Sequence, residues 1–177
     1  MSHLTVIDSF GGVDTNAYTN VSYANSYMAT KFNSEPWAAL TEPQKESAIL
    51  EATRKIDSKN WRGNRFFYYQ KLRFPRTLVT SLVESGRTIV QTPTMFDVEY
   101  NRQEEKVRAA CAEQALWIAR TNGRDRYGEA MAAGVNNESE SVGGYSRSAT
   151  YGTRLGLCPE AMELLKEWRV GPKLVRG

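Results

Sequence analysis

Two stretches of this chain carry an apolar stripe at helical spacing, and residues 60–101 between them carry none. In the first, Ala48, Ile49, Ala52 and Ile56 recur at three or four residues. Thr41 and Gln44 have capping-box spacing, and Pro43 falls in the first turn, where its missing N–H does no harm. The pattern predicts a helix over 42–58. In the second, Val107, Ala110, Cys111, Gln114, Ala115 and Ile118 share one face, and Asn122-Gly123 makes a stop. This predicts the longest helix over 102–121. Its inward face is rich in small residues, which permits close packing against another helix. A chain of 177 residues anchored by such helices suits one mainly α domain.

The remaining signals are weaker. Ser22 is an N-cap candidate for a helix to about Phe32, with Ala24, Tyr27 and Met28 at helical spacing. Ser34-Glu35-Pro36-Trp37 reads as a connector. Pro159 opens a final helix to about Trp168, with Met162, Leu165 and Trp168 on one face, and Gly171-Pro172 ends it. Leu4–Asp8 reads as a short strand or an extended arm, followed by loop at Gly11-Gly12 and Asp14–Asn16. Between the two main helices, Gly63, Pro75, Gly86 and Pro93 punctuate the chain. Thr88–Thr92 has strand propensity there, and Phe96–Tyr100 suggests a short helix. Ala130–Val135 reads as a loose turn or short helix, and Glu138–Thr153 as a β-hairpin or a mobile loop. The expected fold is a small bundle of about four helices with a hairpin or extended loop and flexible terminal arms. The expected organisation is a single domain over 1–177. It has an arm at 1–21, a helical core over 22–169 interrupted at 60–101 and 136–153, and a second arm at 170–177.

Composition removes much of enzymology. The only histidine, His3, lies next to the start, so no Ser-His-Asp triad is expected. Two isolated cysteines, Cys111 and Cys158, without CxxC, supply neither a disulfide framework nor a zinc site, and fit a reducing compartment. Neither has a histidine neighbour in sequence to activate it. No Gly-Lys pair occurs, which excludes a P-loop, and GxGxxG is absent. Glu104-Glu105 ahead of Lys106 and Arg108 read as a solvated face with i,i+4 pairing. Asp97 and Glu99 are too commonplace a pair to name a magnesium site. No catalytic residue, metal or cofactor is expected. No apolar run approaches the length of a membrane span, and Met1–Phe10 lacks the features of a signal peptide. Net charge is only +3, from 23 basic and 20 acidic residues, so the chain as a whole is no nucleic-acid polycation.

One segment departs from this blandness. Residues 54–76 hold eight basic residues, one acid (Asp57) and six aromatics. Basic groups pair with phosphates and aromatic faces stack on unpaired bases, so the combination fits a single-strand binder. Two other readings compete. Trp61, Phe66, Phe67 and Phe74 can plug an irregular core with Arg and Lys solvating it. Alternatively, the segment can be a protein interface, where Tyr, Trp and Arg serve as anchors.

The order of short motifs carries a resemblance. Asn16-Ala17-Tyr18-Thr19-Asn20-Val21, with Ala24 and Tyr27 beyond it, is followed by Trp37. Ala52-Thr53-Arg54-Lys55-Ile56-Asp57, Trp61-Arg62-Gly63 and Gln70-Lys71-Leu72-Arg73-Phe74-Pro75-Arg76 come next. This order resembles the head-completion, or head–tail adaptor, proteins of tailed phages, some of which carry the label of a DnaT-like single-stranded-DNA-binding domain. Residues 77–101 and 136–153 depart from that pattern.

The resemblance implies a structural virion protein at the head–tail connector, present in host cytoplasm before assembly. Copies of the chain would form a ring, usually dodecameric, between the portal protein and a tail-side stopper or tail protein. Genomic DNA would pass through it without sequence-specific binding. On this reading Trp61, Arg62, Phe74, Pro75 and Arg76 make portal or inter-subunit contacts or fix the loop after the second helix, with Trp61 and Phe74 as core anchors. Leu174 and Arg176 in the tail dock on the portal. The alternative is a single-stranded-DNA-binding accessory of replication, with Arg62, Arg65, Lys71 and Arg73 as the contacts.

Overall fold

The computed structural model describes residues 5–77, 83–84, 87–88, 93–121, 137–142, 145–150 and 157–170. The fold is mainly helical. Its helices are α1 (Val21–Ala29), α2 (Glu35–Ala38), α3 (Glu42–Asp57), α4 (Pro93–Arg120) and α5 (Pro159–Leu164), followed by a 3₁₀ turn at Lys166–Trp168. Three antiparallel ladders accompany them: β1 (Asn64–Arg65) with β2 (Arg76–Thr77), β3 (Val83–Glu84) with β4 (Arg87–Thr88), and β5 (Asn137–Val142) with β6 (Tyr145–Thr150). The last is the expected hairpin, with Asn137 opposite Thr150 and Val142 opposite Tyr145.

α4 is the central element. It packs against α3 and α5 and also meets α1 and α2. From Ala109 to Ala119 every residue but Trp117 is buried, as a helix surrounded by others requires. Small side chains let α3 come close: Thr53 Oγ1 lies 3.4 Å from Cys111 Sγ. The α3 stripe of Ala48, Ile49, Ala52 and Ile56 is buried as its spacing predicts. The Thr41 N–H donates to Gln44 Oε1 at 2.8 Å, one half of the capping box.

Several boundaries differ from expectation. α1 is capped by Asn20, whose Oδ1 accepts the Tyr23 N–H at 2.8 Å, rather than by Ser22. It ends at Ala29, where Thr30 Oγ1 donates to the Tyr27 carbonyl and Asn33 turns left-handed (φ 61°), so Phe32 stands 90% exposed. Ser34–Trp37 is not a plain connector, since α2 begins at Glu35 and buries Trp37. α4 begins at Pro93, not at residue 102, and absorbs the short helix expected near Phe96: proline is tolerated at the first helical position. Within 60–101, residues 93–101 thus belong to α4, and of Thr88–Thr92 only Thr88 lies in a described strand.

The expected N-terminal arm is corrected as well. Phe10, Thr15, Ala17, Tyr18 and Thr19 are buried. Asn16 pins the strand-like start, accepting from the Ile7 N–H at 2.7 Å and donating to the Thr5 carbonyl at 2.8 Å. Buried aromatic area outweighs the polar look of this stretch. Ala130–Val135, Gly171-Pro172, Leu174 and Arg176 lie outside the described residues. Among the described residues no helix is long and apolar enough to cross a membrane.

Candidate nucleic-acid interface

Residues 58–77 lack a helical period because side-chain hydrogen bonds order them instead. The Trp61 indole N–H donates to the Ile56 carbonyl at 3.0 Å, satisfying a group at the end of α3. Its ring meets Phe74 edge-on, and Phe74, fully buried, also meets Tyr18 and Trp168 edge-on. Asp57 Oδ1 accepts from the Tyr18 hydroxyl and from the Arg73 backbone N–H, both at 2.6 Å. The Tyr18 hydroxyl accepts the Phe74 N–H at 3.2 Å. Burial, then the Asp57 charge, holds the Tyr18 phenol well above its ordinary pKa.

Gln70 is buried in the bend that follows β1. Its Oε1 accepts the Phe67 N–H at 2.9 Å, and its Nε2 donates to the Leu72 and Pro75 carbonyls at 2.8 and 3.0 Å. One amide thus closes the 67–75 loop on itself. The N-terminal segment passes against this loop. Gly11 has φ 74°, and a Cβ there would lie 3.0 Å from the Phe67 ring and 3.2 Å from Pro75. The Lys71 N–H reaches the Gly12 carbonyl at 3.3 Å.

Arg76 is the node of the segment. A guanidinium is all donors, so burying one demands carbonyls around it. Its Nε donates to the Arg62 carbonyl at 2.6 Å, one terminal nitrogen to the Arg73 carbonyl at 3.1 Å and the other to the Gly63 carbonyl. Its backbone exchanges two bonds with the Gln103 side chain of α4, at 2.8 and 2.6 Å. Arg65 faces it across the β1–β2 ladder. Burial first, then Arg73 and Arg65, lowers the Arg76 pKa, so three cations repel across this node.

The segment therefore has two faces. Trp61, Gln70, Phe74, Pro75 and Arg76 are buried, whereas Arg62, Arg65, Tyr68, Tyr69 and Lys71 are exposed and Arg73 is half-buried. Among the described residues no carboxylate pairs with the side chains of Arg62, Arg65, Lys71 or Arg73. On the helices, by contrast, Arg54, Arg102, Lys106 and Arg108 all have acidic partners. The four cations expected to meet nucleic acid are gathered on one loop. Of the two roles expected for Trp61, Arg62, Phe74, Pro75 and Arg76, the structure shows the fixing of the loop: Trp61 and Phe74 are core anchors, Pro75 and Arg76 are buried with them, and only Arg62 is exposed.

Tyr68 and Tyr69 were not separable from Phe66 and Phe67 by composition. The one available signal is the hydroxyl, which favours a tyrosine over a phenylalanine at a wet boundary. Of the two glutamines that hold the loop, Gln70 was visible as the first residue of the Gln70–Arg76 motif, whereas Gln103 left no signal in the sequence. Neither thiol is set up as a nucleophile: burial pushes Cys111 up to about 12 and Cys158 up to about 11. Among the described residues no three His, Cys, Asp or Glu side chains are grouped to hold a metal.

Comparison with known proteins gives one result. No curated protein and no solved structure matches the chain. A family profile described as "Putative DnaT-like ssDNA binding protein" matches residues 2–129, a span that includes the 58–77 segment and all of α4. This match overturns the identification with head–tail adaptors. The description of the matched family names single-stranded DNA binding, and nothing in it speaks for a portal, a tail-side stopper, a connector ring or a channel that DNA merely traverses. With 2–129 of its 177 residues matched, the chain belongs to the family of DnaT-like ssDNA binding proteins.

Proposed function

We propose that this chain binds single-stranded DNA and acts, without enzymatic activity, as an accessory of replication. One observation carries the reading: a hydrogen-bonded loop holds exposed Arg62, Arg65 and Lys71 and half-buried Arg73 with no acidic partner among the described residues, in one segment with two exposed tyrosines. Cations placed along a strand release counterions from its phosphates, and aromatic faces accept bases of any sequence. The net charge of +3 does not oppose this, because phosphate contact depends on where charge is concentrated. The loop is ordered by Arg76, Gln70 and Asp57, so little conformational entropy remains to be lost on binding.

The test is fluorescence polarisation of a labelled single strand over a series of salt concentrations. The wild-type chain is expected to bind with micromolar or tighter affinity. Four phosphate contacts predict a slope of log K against log salt of roughly −3. Replacing Arg62, Arg65, Lys71 and Arg73 together by Ala is expected to abolish that slope. It should change the unfolding free energy by less than about 1 kcal/mol, because Arg62, Arg65 and Lys71 are exposed and only Arg73 is half-buried. Absent or salt-independent binding by the wild type would contradict the reading.

A further inference from the structure

Tyr68 is 96% exposed and Tyr69 48% exposed. Leaving two adjacent aromatic rings in water forgoes apolar burial, so their support is informative. The Gln70 N–H turns back to the Phe67 carbonyl at 3.4 Å, and the Gln70 amide locks the same turn from inside. The Tyr69 ring lies parallel to Phe67, with centroids 5.2 Å apart and planes 10° apart. Phe67 in turn meets Phe66 and Tyr100 edge-on, and the Tyr100 hydroxyl is anchored on the Phe10 carbonyl at 2.6 Å. The exposed pair is therefore the outer end of an aromatic stack rooted in the core. Phe32, also exposed, has no such stack beneath it among the described residues.

The two rings are not parallel. Tyr68 and Tyr69 have centroids 5.2 Å apart and planes at 82°. Successive bases in a stacked strand lie face to face about 3.4 Å apart. Bases resting on these two rings must instead stand almost at right angles to each other. Their mutual stacking is lost, and stacking on tyrosine replaces it. Arg65 lies three residues before Tyr68 and Lys71 two residues after Tyr69, and both are exposed, so the platform is flanked in the chain by cations that can meet phosphate.

Resting on the single-strand reading, we propose that Tyr68 and Tyr69 form a right-angled platform that splays two successive unpaired bases, so that the site favours weakly self-stacked pyrimidine strands over purine strands. A purine run must give up strong base–base stacking to occupy the platform, whereas a thymine run gives up little. A duplex presents no free base faces to it.

Polarisation titrations with labelled oligo(dT) and oligo(dA) of equal length, at one fixed salt concentration, test the inference. Wild-type protein is expected to bind oligo(dT) roughly fivefold or more tightly than oligo(dA). Tyr68→Ala and Tyr69→Ala are each expected to weaken oligo(dT) binding by roughly fivefold or more. They should also narrow the preference and leave the salt slope unchanged, because no phosphate contact is removed. Tyr68→Phe retains the ring and should retain both affinity and preference. Tyr68 is almost fully exposed, so its variants are expected to keep the wild-type thermal midpoint. Equal affinity for the two strands, or wild-type affinity in Tyr68→Ala, would overturn the platform while leaving single-strand binding in place. Wild-type protein that binds neither strand would overturn the single-strand reading and the platform with it.

Discussion

The inner and outer faces of the 58–77 segment are built from the same residue types and put them to opposite uses. Inward, Arg76 spends its donors on the carbonyls of Arg62, Gly63 and Arg73, and Trp61 and Phe74 fill the core beside Trp168. Outward, Arg62, Arg65 and Lys71 have no acidic partner among the described residues, and Tyr68 stands in solvent. The difference lies in where the partners are. A buried guanidinium is tolerated only because the chain supplies acceptors around it, whereas the exposed ones are left for a ligand to pair. The motifs Trp61-Arg62-Gly63 and Gln70–Arg76 show the same division. Their apolar and amide positions build the scaffold, and their intervening positions, Arg62, Lys71 and Arg73, face outward or lie half-buried.

Breaking the inner face should have the largest effect. Phe74→Ala removes a fully buried ring held among Tyr18, Trp61 and Trp168, and is expected to destabilise the protein by about 3–5 kcal/mol in urea denaturation. Arg76→Ala strands three carbonyls and is expected to cost about 3 kcal/mol, with Arg76→Lys recovering less than half, since an ammonium cannot span the same fork. A stability loss below about 1 kcal/mol for Arg76→Ala would remove the distinction between the faces.

A smaller effect sharpens the contrast through pH. The Cys111 thiol is raised by burial from 9.0 to about 12, and the Tyr18 phenol is raised as well. A raised folded-state pKa means the folded chain holds its proton longer than the unfolded one. The associated stability is complete below the unfolded pKa and is lost as pH rises through the folded value. Unfolding free energy is therefore expected to decline from about pH 9 toward about pH 12. Cys111→Ala should flatten part of that decline.

Legibility in the sequence divided along similar lines. α3 was readable because its cap, first-turn proline and apolar stripe are local features. The start of α1 was not, because Asn20 and Ser22 are both capping residues. What selects Asn20 is tertiary: its Nδ2 donates to Asp8 Oδ2 at 2.8 Å. The early start of α4 was hidden by reading Pro93 as a breaker, when a first-turn proline also opens a helix. The basic-aromatic segment was visible from composition, but its sidedness was not. Nothing local distinguishes Arg76 from Arg73; the difference comes from Gln103, which lies 27 residues further on. The resemblance found in the motif order led to the DnaT-like label and also to an adaptor role that the family match does not support.

On the function proposed above, single-stranded DNA contacts the outer face of the 62–73 loop. Photo-cross-linking of a strand carrying a reactive thymine analogue, with the attached peptides located by mass spectrometry, tests it most directly. Adducts are expected at Tyr68, Tyr69 or Lys71, competed away by unlabelled oligo(dT) and lost at high salt. Salt-sensitive adducts that map instead to the exposed side of α3, at Glu51 or Arg54, would contradict it.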